Sequence, residues 1–214
     1  MTNAGIERVR HPVFARIYER VSAAAEAAGA ADHRTRLLAG LSGTVVEVGA
    51  GNGMNFTHYP ETVSVIAVEP EAYLRARAEE RARDATVPVR VVDGTATRIP
   101  LADASADAGV ASLVLCSVAD QAAALAELRR VIRPGGELRF YEHVAADSAA
   151  RARWQRRVDP LWTRVAGGCH LTRDTERAIR DAGFDIEKLE RFRFQPCWLS
   201  KLTADHVLGR ARRP

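Results

Sequence analysis

Patterning along this chain predicts an α/β architecture, a doubly wound and mostly parallel sheet with helices on both faces. Three observations carry that expectation. Val45-Val46-Glu47-Val48 is a β-branched, apolar run that stops in three alternating glycines, Gly49, Gly51 and Gly53, as a buried central strand feeding a tight turn does. A second run, Val63 to Val68, is closed by Glu69, twenty residues after Gly49. Further short apolar runs then alternate with alanine-rich helical patterns, the signature of repeated strand-helix-strand crossovers.

Taken in order, Pro12 to Ala28 is expected to be an amphipathic helix. Phe14, Ile17, Tyr18 and Val21 fall at i, i+3, i+4 and i+7, and Pro12 suits a first helical turn. A shorter helix over Arg34 to Leu41 leads past Gly43 into the first strand. Both precede the glycine turn and are placed to cover it; ordinary core packing explains the apolar stripe as well, with Tyr18 as a lid residue the alternative. Strands are expected near 44–49, 63–69, 88–92, 108–115 and 136–143, the fourth ending in Cys116-Ser117. Helix Asp120 to Ile132 is stopped by Arg133-Pro134-Gly135-Gly136, and a helix from Asp174 to Ala182 ends at Gly183. Two last strands, Asp185 to Phe194 and Asp205 to Arg213, bring the sheet to seven.

Composition narrows the class. At 214 residues the chain is long enough for one core. No run approaches the ~20 apolar residues of a membrane span, and no basic-then-apolar leader opens the sequence. Cys116, Cys169 and Cys197 are odd in number and far apart in sequence, which argues against a disulfide framework or a zinc knuckle and fits a reducing cytoplasm. Net charge is +4 with only two lysines, so the excess is carried by scattered arginines. No basic stripe with interleaved aromatics marks a nucleic-acid surface.

The glycine turn carries the chemistry. Glycines at 49, 51 and 53 remove the Cβ atoms that would keep a ligand from the amides opening the next helix. A carboxylate at the end of the neighbouring strand, Glu69, is placed to accept from two ribose hydroxyls, so a nucleoside-containing cofactor is expected. A dinucleotide turn runs G-x-G-x-x-G, whereas here Gly53 is followed by Met54. Glu47-x-Gly49-x-Gly51-x-Gly53 instead resembles the first motif of the class I, Rossmann-like S-adenosylmethionine methyltransferases. Glu69-Pro70, Gly94-Thr95-Ala96 and the segment 128–136 match further parts of that family, over most of residues 40 to 143. Four more segments, Ser112 to Val118, Glu142 to Ala145, Asp159 to Trp162 and Gly167 to Arg173, are similar to the methyltransferase-like family seven thiol methyltransferases.

The resemblance implies strand order 3-2-1-4-5-7-6 and one domain over 1–214, with lid helices in 1–43, a cofactor core in 44–143, and an acceptor-pocket insertion with the last strands in 144–214. It implies S-adenosylmethionine as cofactor, released as S-adenosylhomocysteine. Its contacts would be Tyr18, Glu47, Gly49, Ala50, Gly51, Asn52, Gly53, Glu69, Pro70, Gly94, Thr95, Ala96, Leu115, Cys116 and Ser117. Many superfamily members have an acidic residue where Thr95 stands. Eukaryotic members of the thiol branch carry an apolar N-terminal anchor that this sequence lacks, so a soluble, cytoplasmic protein is expected.

Ligands of doubly wound sheets lie beyond the carboxyl ends of the strands, which puts Cys116, Ser117, Asp120, Glu142 and His143 on the reactive side. His143 is the candidate proton acceptor, its imidazole titrating near neutrality; local loop orientation is the other reading. Asp159 either orients His143, binds an amine, or is an ordinary turn pair with Pro160. Trp154 and Trp162 either wall an apolar acceptor pocket or pack on the sheet. His170 lines that pocket or is a solvated loop histidine. Arg173 binds an acidic acceptor or pairs with Asp174 or Glu176. Cys116, after Leu113-Val114-Leu115, is a small buried wall rather than a nucleophile, and Cys169 and Cys197 are packing residues or bystanders. No metal is expected. The reaction read from these features is methylation of a small, largely apolar molecule, a thiol first, with oxygen, nitrogen or carbon of a quinone, phenol or other natural product as the alternatives. A nicotinamide oxidoreductase and a non-catalytic S-adenosylmethionine-binding protein are the rivals from other classes.

Overall fold

The computed structural model describes residues 22, 24–196 and 198–214. Tyr18 and Cys197, and most of the helix expected over Pro12 to Ala28, lie outside the described residues. A seven-stranded sheet runs β3-β2-β1-β4-β5-β7-β6, from β1 (Gly43–Val48), β2 (Val63–Val68), β3 (Val89–Val92), β4 (Ala106–Ser112), β5 (Ile132–His143), β6 (Asp185–Arg193) and β7 (Asp205–Arg212). The first five strands pair in parallel. β7 inserts antiparallel between β5 and β6, as the seven-strand order requires.

Each helix has a local cause. Helices α2 (Ala72–Ala82), α3 (Gln121–Val131) and α5 (Thr175–Asp181) each open on a carboxylate cap. Glu71 accepts from the Leu74 amide at 2.8 Å, Asp120 from Ala123 at 2.9 Å and Asp174 from Arg177 at 3.0 Å, each cap contributing about 1 kcal/mol. Helix α1 (Ala31–Leu38) follows a π-type turn at Glu26–Ala30, with Gly29 at φ 113°. The segment from 149 to 165, expected only as part of the acceptor-pocket insertion, is one helix, α4 (Ala149–Val165), with Pro160 inside it. Strand β4 stops at Ser112 rather than 115, because Leu113 adopts φ 57°, which a pleated ladder does not accommodate.

Alternation along β1 divides the core. Val46 and Val48 pack with Leu125, Leu128, Leu138 and Phe140 on one face of the sheet, while Val45 packs with Leu37, Leu38, Phe56 and Tyr141 on the other. Glu47 shares Val45's face and is 2 % exposed. Its Oε1 accepts from Asn55 Nδ2 at 2.7 Å and its Oε2 from Tyr59 Oη at 2.8 Å. Arg34 holds the other end of the Asn55 amide at 2.7 Å and pairs with Glu26 at 3.0 Å. Glu47 therefore anchors the segment after the glycine turn from beneath.

Burial pushes the Glu47 carboxyl up to about 7, against hydrogen bonds from Tyr59 and Asn55 and the charge of Arg34. A raised folded-state carboxyl favours folding while protonated, and that contribution is lost as pH rises from the ordinary carboxylate range to about 7. Glu47→Gln, which keeps the shape and loses the charge, should therefore gain stability relative to the parent across that window, by up to ~3 kcal/mol. Thermal melts of both proteins at pH 4.5, 6 and 8 measure the difference, and a difference independent of pH would show that Glu47 does not titrate there.

Candidate functional site

Gly49, Gly51 and Gly53 have φ of 61°, 58° and 79°, a left-handed backbone that side chains resist. Space decides as well: a Cβ on Gly49 would stand 2.3 Å from Val114 Cγ2, and one on Gly53 2.6 Å from Phe56 Cε2. Glu69 closes the cradle. Its Oε2 accepts from the Gly51 amide at 2.7 Å and its Oε1 from Glu71 at 2.9 Å, and burial pushes its carboxyl up to about 6. Asn52 Nδ2 donates to Ser22 Oγ at 3.4 Å, which brings residue 22 against the turn. Asn52 Oδ1 is buried with no partner among the described residues. A turn stripped of side chains, a carboxylate at the end of β2 and an orphaned amide oxygen fit the nucleoside cofactor that the motif implies.

Farther along the strand ends, Arg75 donates to the carbonyls of Glu69 and Pro70 at 2.9 and 3.1 Å, fixing that corner. Gly94 is required by packing, since a Cβ there would lie 2.8 Å from Pro100 and 2.9 Å from Val68. Thr95 and Thr97 hydroxyls are 3.1 Å apart in a turn tied by the Arg98 amide on the Thr95 carbonyl, with Ala96 buried beneath.

At the ends of β4 and β5 the organising group is Glu142. Its Oε1 accepts from the amides of Val114 and Leu115 at 3.0 and 2.9 Å, and its Oε2 from Cys116 at 3.2 Å. Burial raises its carboxyl against those three donors and the His143 charge. The turn so held carries Leu115, Cys116 and Ser117. Onto it docks the segment after α4, with His170 N donating to the Cys116 carbonyl at 2.8 Å. Gly168, at φ 86°, fits because a Cβ there would lie 3.1 Å from the Ser117 carbonyl.

That docking produces the centre the sequence did not reveal. Cys169 Sγ lies 2.7 Å from His143 Nε2 and accepts from Trp162 Nε1 at 3.5 Å. Donor atoms of Cys116, His143 and Cys169 are all within 4.8 Å of one another. Cys169 is thus no packing residue, and the two cysteines are close despite their distance in sequence. The Cys116 hydrogen bond, with those of His143 and Trp162, holds the Cys169 thiol well below its ordinary range despite burial. The contact with Cys169, burial and the Glu142 charge push Cys116 up. Burial alone would lower His143, but its bond to Cys169 and the charges of Cys169, Glu142 and Asp159 outweigh that and raise it. These directions favour the proton on His143 over Cys169 and keep the neighbouring Cys116 thiol protonated. Two cysteines and a histidine are also a zinc donor set, but tetrahedral ligation would hold sulfur and nitrogen about 3.5 Å apart, well beyond the His143–Cys169 separation seen here.

Other expectations are redistributed. Asp159 does not hydrogen-bond His143; its Oδ2 lies 3.1 Å from His170 Nδ1 and its Oδ1 accepts from the Leu171 amide at 2.5 Å, from inside α4 rather than from a turn. His170 is therefore held as part of the docking segment. Trp154 is 53 % exposed among the described residues, whereas Trp162 reaches Cys169. Arg173 donates to the Val118 carbonyl at 2.6 Å, and among the described residues no ion pair joins it to Asp174 or Glu176.

The Glu142 arrangement makes a direct prediction. Glu142→Ala leaves three amides without their acceptor and should cost about 1–3 kcal/mol of stability for each of them, while Glu142→Gln, with one carbonyl oxygen left, should lose clearly less. Urea unfolding of the three proteins tests it; equal losses in both variants would mean that the acceptors are not what matters.

Comparison with known proteins agrees with this geometry. A family model described as a methyltransferase domain matches residues 46–140. Thiol S-methyltransferase TMT1B of Rattus norvegicus is 38% identical over 176 residues, 78% of this chain and 70% of the relative. Thiol S-methyltransferase TMT1A of Homo sapiens is 38% identical over 180 residues, 81% and 72%. Among solved structures, an S-adenosylmethionine-dependent methyltransferase of Thermotoga maritima, titled a possible histamine N-methyltransferase, superposes with TM-score 0.71 at 23% identity, over 94% of this chain and 98% of that one. A geranyl diphosphate methyltransferase in complex with S-adenosylmethionine superposes with TM-score 0.67 at 16% identity, over 87% and 85%. This chain is an S-adenosylmethionine-dependent methyltransferase of the class I fold, belonging to the family that includes thiol S-methyltransferases TMT1A and TMT1B.

Proposed function

We propose that this enzyme methylates the sulfur of a small, largely apolar thiol. The observation that carries the reading is its 38% identity, across about four-fifths of its length, to proteins named thiol S-methyltransferases. The cofactor cradle is assigned to Gly49–Gly53, Glu69-Pro70, Gly94–Ala96 and Leu115–Ser117, and the acceptor side to residues 144–214. S-adenosylmethionine, when bound, supplies an electrophilic methyl group on a sulfonium and departs as a neutral thioether. The chain's part is to orient the acceptor, exclude water and take its proton. His143 and Cys169 are together assigned the last task, as a pair that holds one proton and has room for a second. Their short Nε2–Sγ contact holds one proton between imidazole and sulfur, beside the carboxyl ends of β4 and β5. A thiol with pKa near ~8.5 is partly ionised at neutral pH, so a weak base suffices.

Glu69→Ala should weaken S-adenosylmethionine binding ten- to a hundredfold, the loss of about 1.5–3 kcal/mol from a charged hydrogen bond. Calorimetry reads it, and unchanged affinity would remove the ribose assignment.

The acceptor class is tested by S-adenosylhomocysteine release over a panel of alkyl and aryl thiols, phenols and amines. Thiols should be preferred. His143→Ala should slow thiol turnover at pH 7 by up to about a hundredfold, the deficit shrinking as pH rises through the thiol's own pKa. A deficit constant with pH would assign His143 to positioning, preferred turnover of phenols or amines would replace the acceptor class, and no release at all would leave a cofactor-binding protein.

A further inference from the structure

We propose that Cys169 and Cys116 form a dithiol centre that reduces small disulfides, so that the enzyme generates thiols from their oxidised form at the place where it methylates them. The second half rests on the thiol reading above; the disulfide chemistry rests on the centre itself. Three features of its geometry matter. Cys169 is only partly buried and follows Gly167 and Gly168, at φ 61° and 86°, on a segment that approaches the β4 end from outside. His143 Nε2, at 2.7 Å, and the Trp162 N–H, at 3.5 Å, both lie against its sulfur. Cys116 is 3 % exposed and its sulfur is within 4.8 Å of that of Cys169. An accessible sulfur stabilised as thiolate beside a buried, protonated partner is the arrangement of an attacking and a resolving cysteine.

The chemistry balances without an external oxidant. The Cys169 thiolate attacks one sulfur of a disulfide R–S–S–R, forming a bond from Cys169 to that sulfur and expelling R–S⁻. The Cys116 sulfur then attacks Cys169, forming the Cys116–Cys169 disulfide; the second R–S⁻ leaves and takes up the Cys116 proton. Two electrons pass from the cysteine pair to the small disulfide, giving R–SH and R–S⁻. An added thiol reductant returns the pair to the dithiol. Closing the two sulfurs to a bond of about 2 Å asks for less than 3 Å of approach, and the two glycines preceding Cys169 give that segment its freedom.

The reaction's pH dependence is set by the groups around Cys169 and His143, namely Cys116 and Glu142 at the β4 and β5 ends, Asp159 of α4, and His206 of β7, whose ring centroid is 6.4 Å from that of His143. Ordinary thiols, with pKa near ~8.5, are almost wholly protonated at pH 5.5, so fast reaction there singles out Cys169.

The test uses the full-length chain carrying Cys197→Ser, reduced and freed of reductant, with 5,5′-dithiobis(2-nitrobenzoic acid) as the disulfide at pH 5.5. The expected result is rapid release of two equivalents of thionitrobenzoate per chain, with a Cys116–Cys169 disulfide found by peptide mass analysis. Adding Cys116→Ser should give one equivalent and a stable adduct on Cys169. Cys169→Ser should slow the reaction at least a hundredfold. His143→Ala should slow it at pH 5.5 and recover as pH rises through the ordinary thiol range, which a purely structural role for the ring would not produce. One equivalent with a persistent adduct in the parent chain, undiminished reaction in Cys169→Ser, or reaction only after a metal chelator would each overturn the proposal. The parent stoichiometry requires no cysteine of the pair to be altered, so a variant that fails to fold does not remove the test. The release assay on already reduced thiols is separate: its failure removes the acceptor class, while failure of the disulfide titration leaves thiol methylation standing.

Discussion

One buried carboxylate at the end of β5 takes three successive amides from the turn that leaves β4, and the reactive end of the molecule is built on that contact. Without Glu142, Val114, Leu115 and Cys116 would present unsatisfied donors to an apolar interior, at a cost of about 1–3 kcal/mol each. With it, a turn that begins with Leu113 at φ 57° is stable. That turn fixes the Cys116 carbonyl on which the His170 amide docks, and the docking in turn sets Cys169 against His143. The adjacent residues Glu142 and His143 therefore divide the work: the first holds backbone and the second meets sulfur. Both follow from a strand that runs through buried surroundings to its last residue.

The same economy governs the glycine turn. Glu69 reaches across from β2 to the Gly51 amide, while Glu47 reaches outward from β1 to Asn55 and Tyr59. Two buried carboxylates, both raised by desolvation, clamp one short turn from opposite sides. Each is tolerated because both of its oxygens are met by donors. A rigid turn of this kind lowers the entropy lost when a ligand lies against it.

What the sequence made legible was local. Glycines at alternate positions after a β-branched run, an acidic residue at the end of the next run, and carboxylates three residues before helical amides all act within one element or its immediate neighbour. The seven strands and their order followed from alternation and from the family resemblance. What stayed hidden was through-space. Cys169 meets His143 across 26 positions, and nothing in Gly-Gly-Cys-His announces it. For Asp159 the sequence offers three readings, one of them a turn with Pro160, and helix α4 instead continues through the proline. For Trp154 it offers a pocket wall or packing on the sheet, and Trp154 is exposed together with Leu161 and Val165, at i+7 and i+11 of that helix, among the described residues.

Under the thiol methylation proposed above, a cysteine with a lowered pKa at the strand ends raises the question of why the enzyme would not methylate itself. The answer lies in the contacts that create the thiolate. A sulfur whose pKa is lowered by His143, Trp162 and Cys116 also loses intrinsic nucleophilicity, by ~0.4–0.5 logarithmic units for each unit of pKa in thiol exchange. An ordinary thiol acceptor, once ionised, is therefore the stronger nucleophile of the two toward a methyl group, whereas Cys169, ionised at lower pH, is the sulfur available to a disulfide under acid conditions. The lowered pKa and the lowered intrinsic nucleophilicity are one physical effect, and which of them decides depends on whether the competing thiol is ionised.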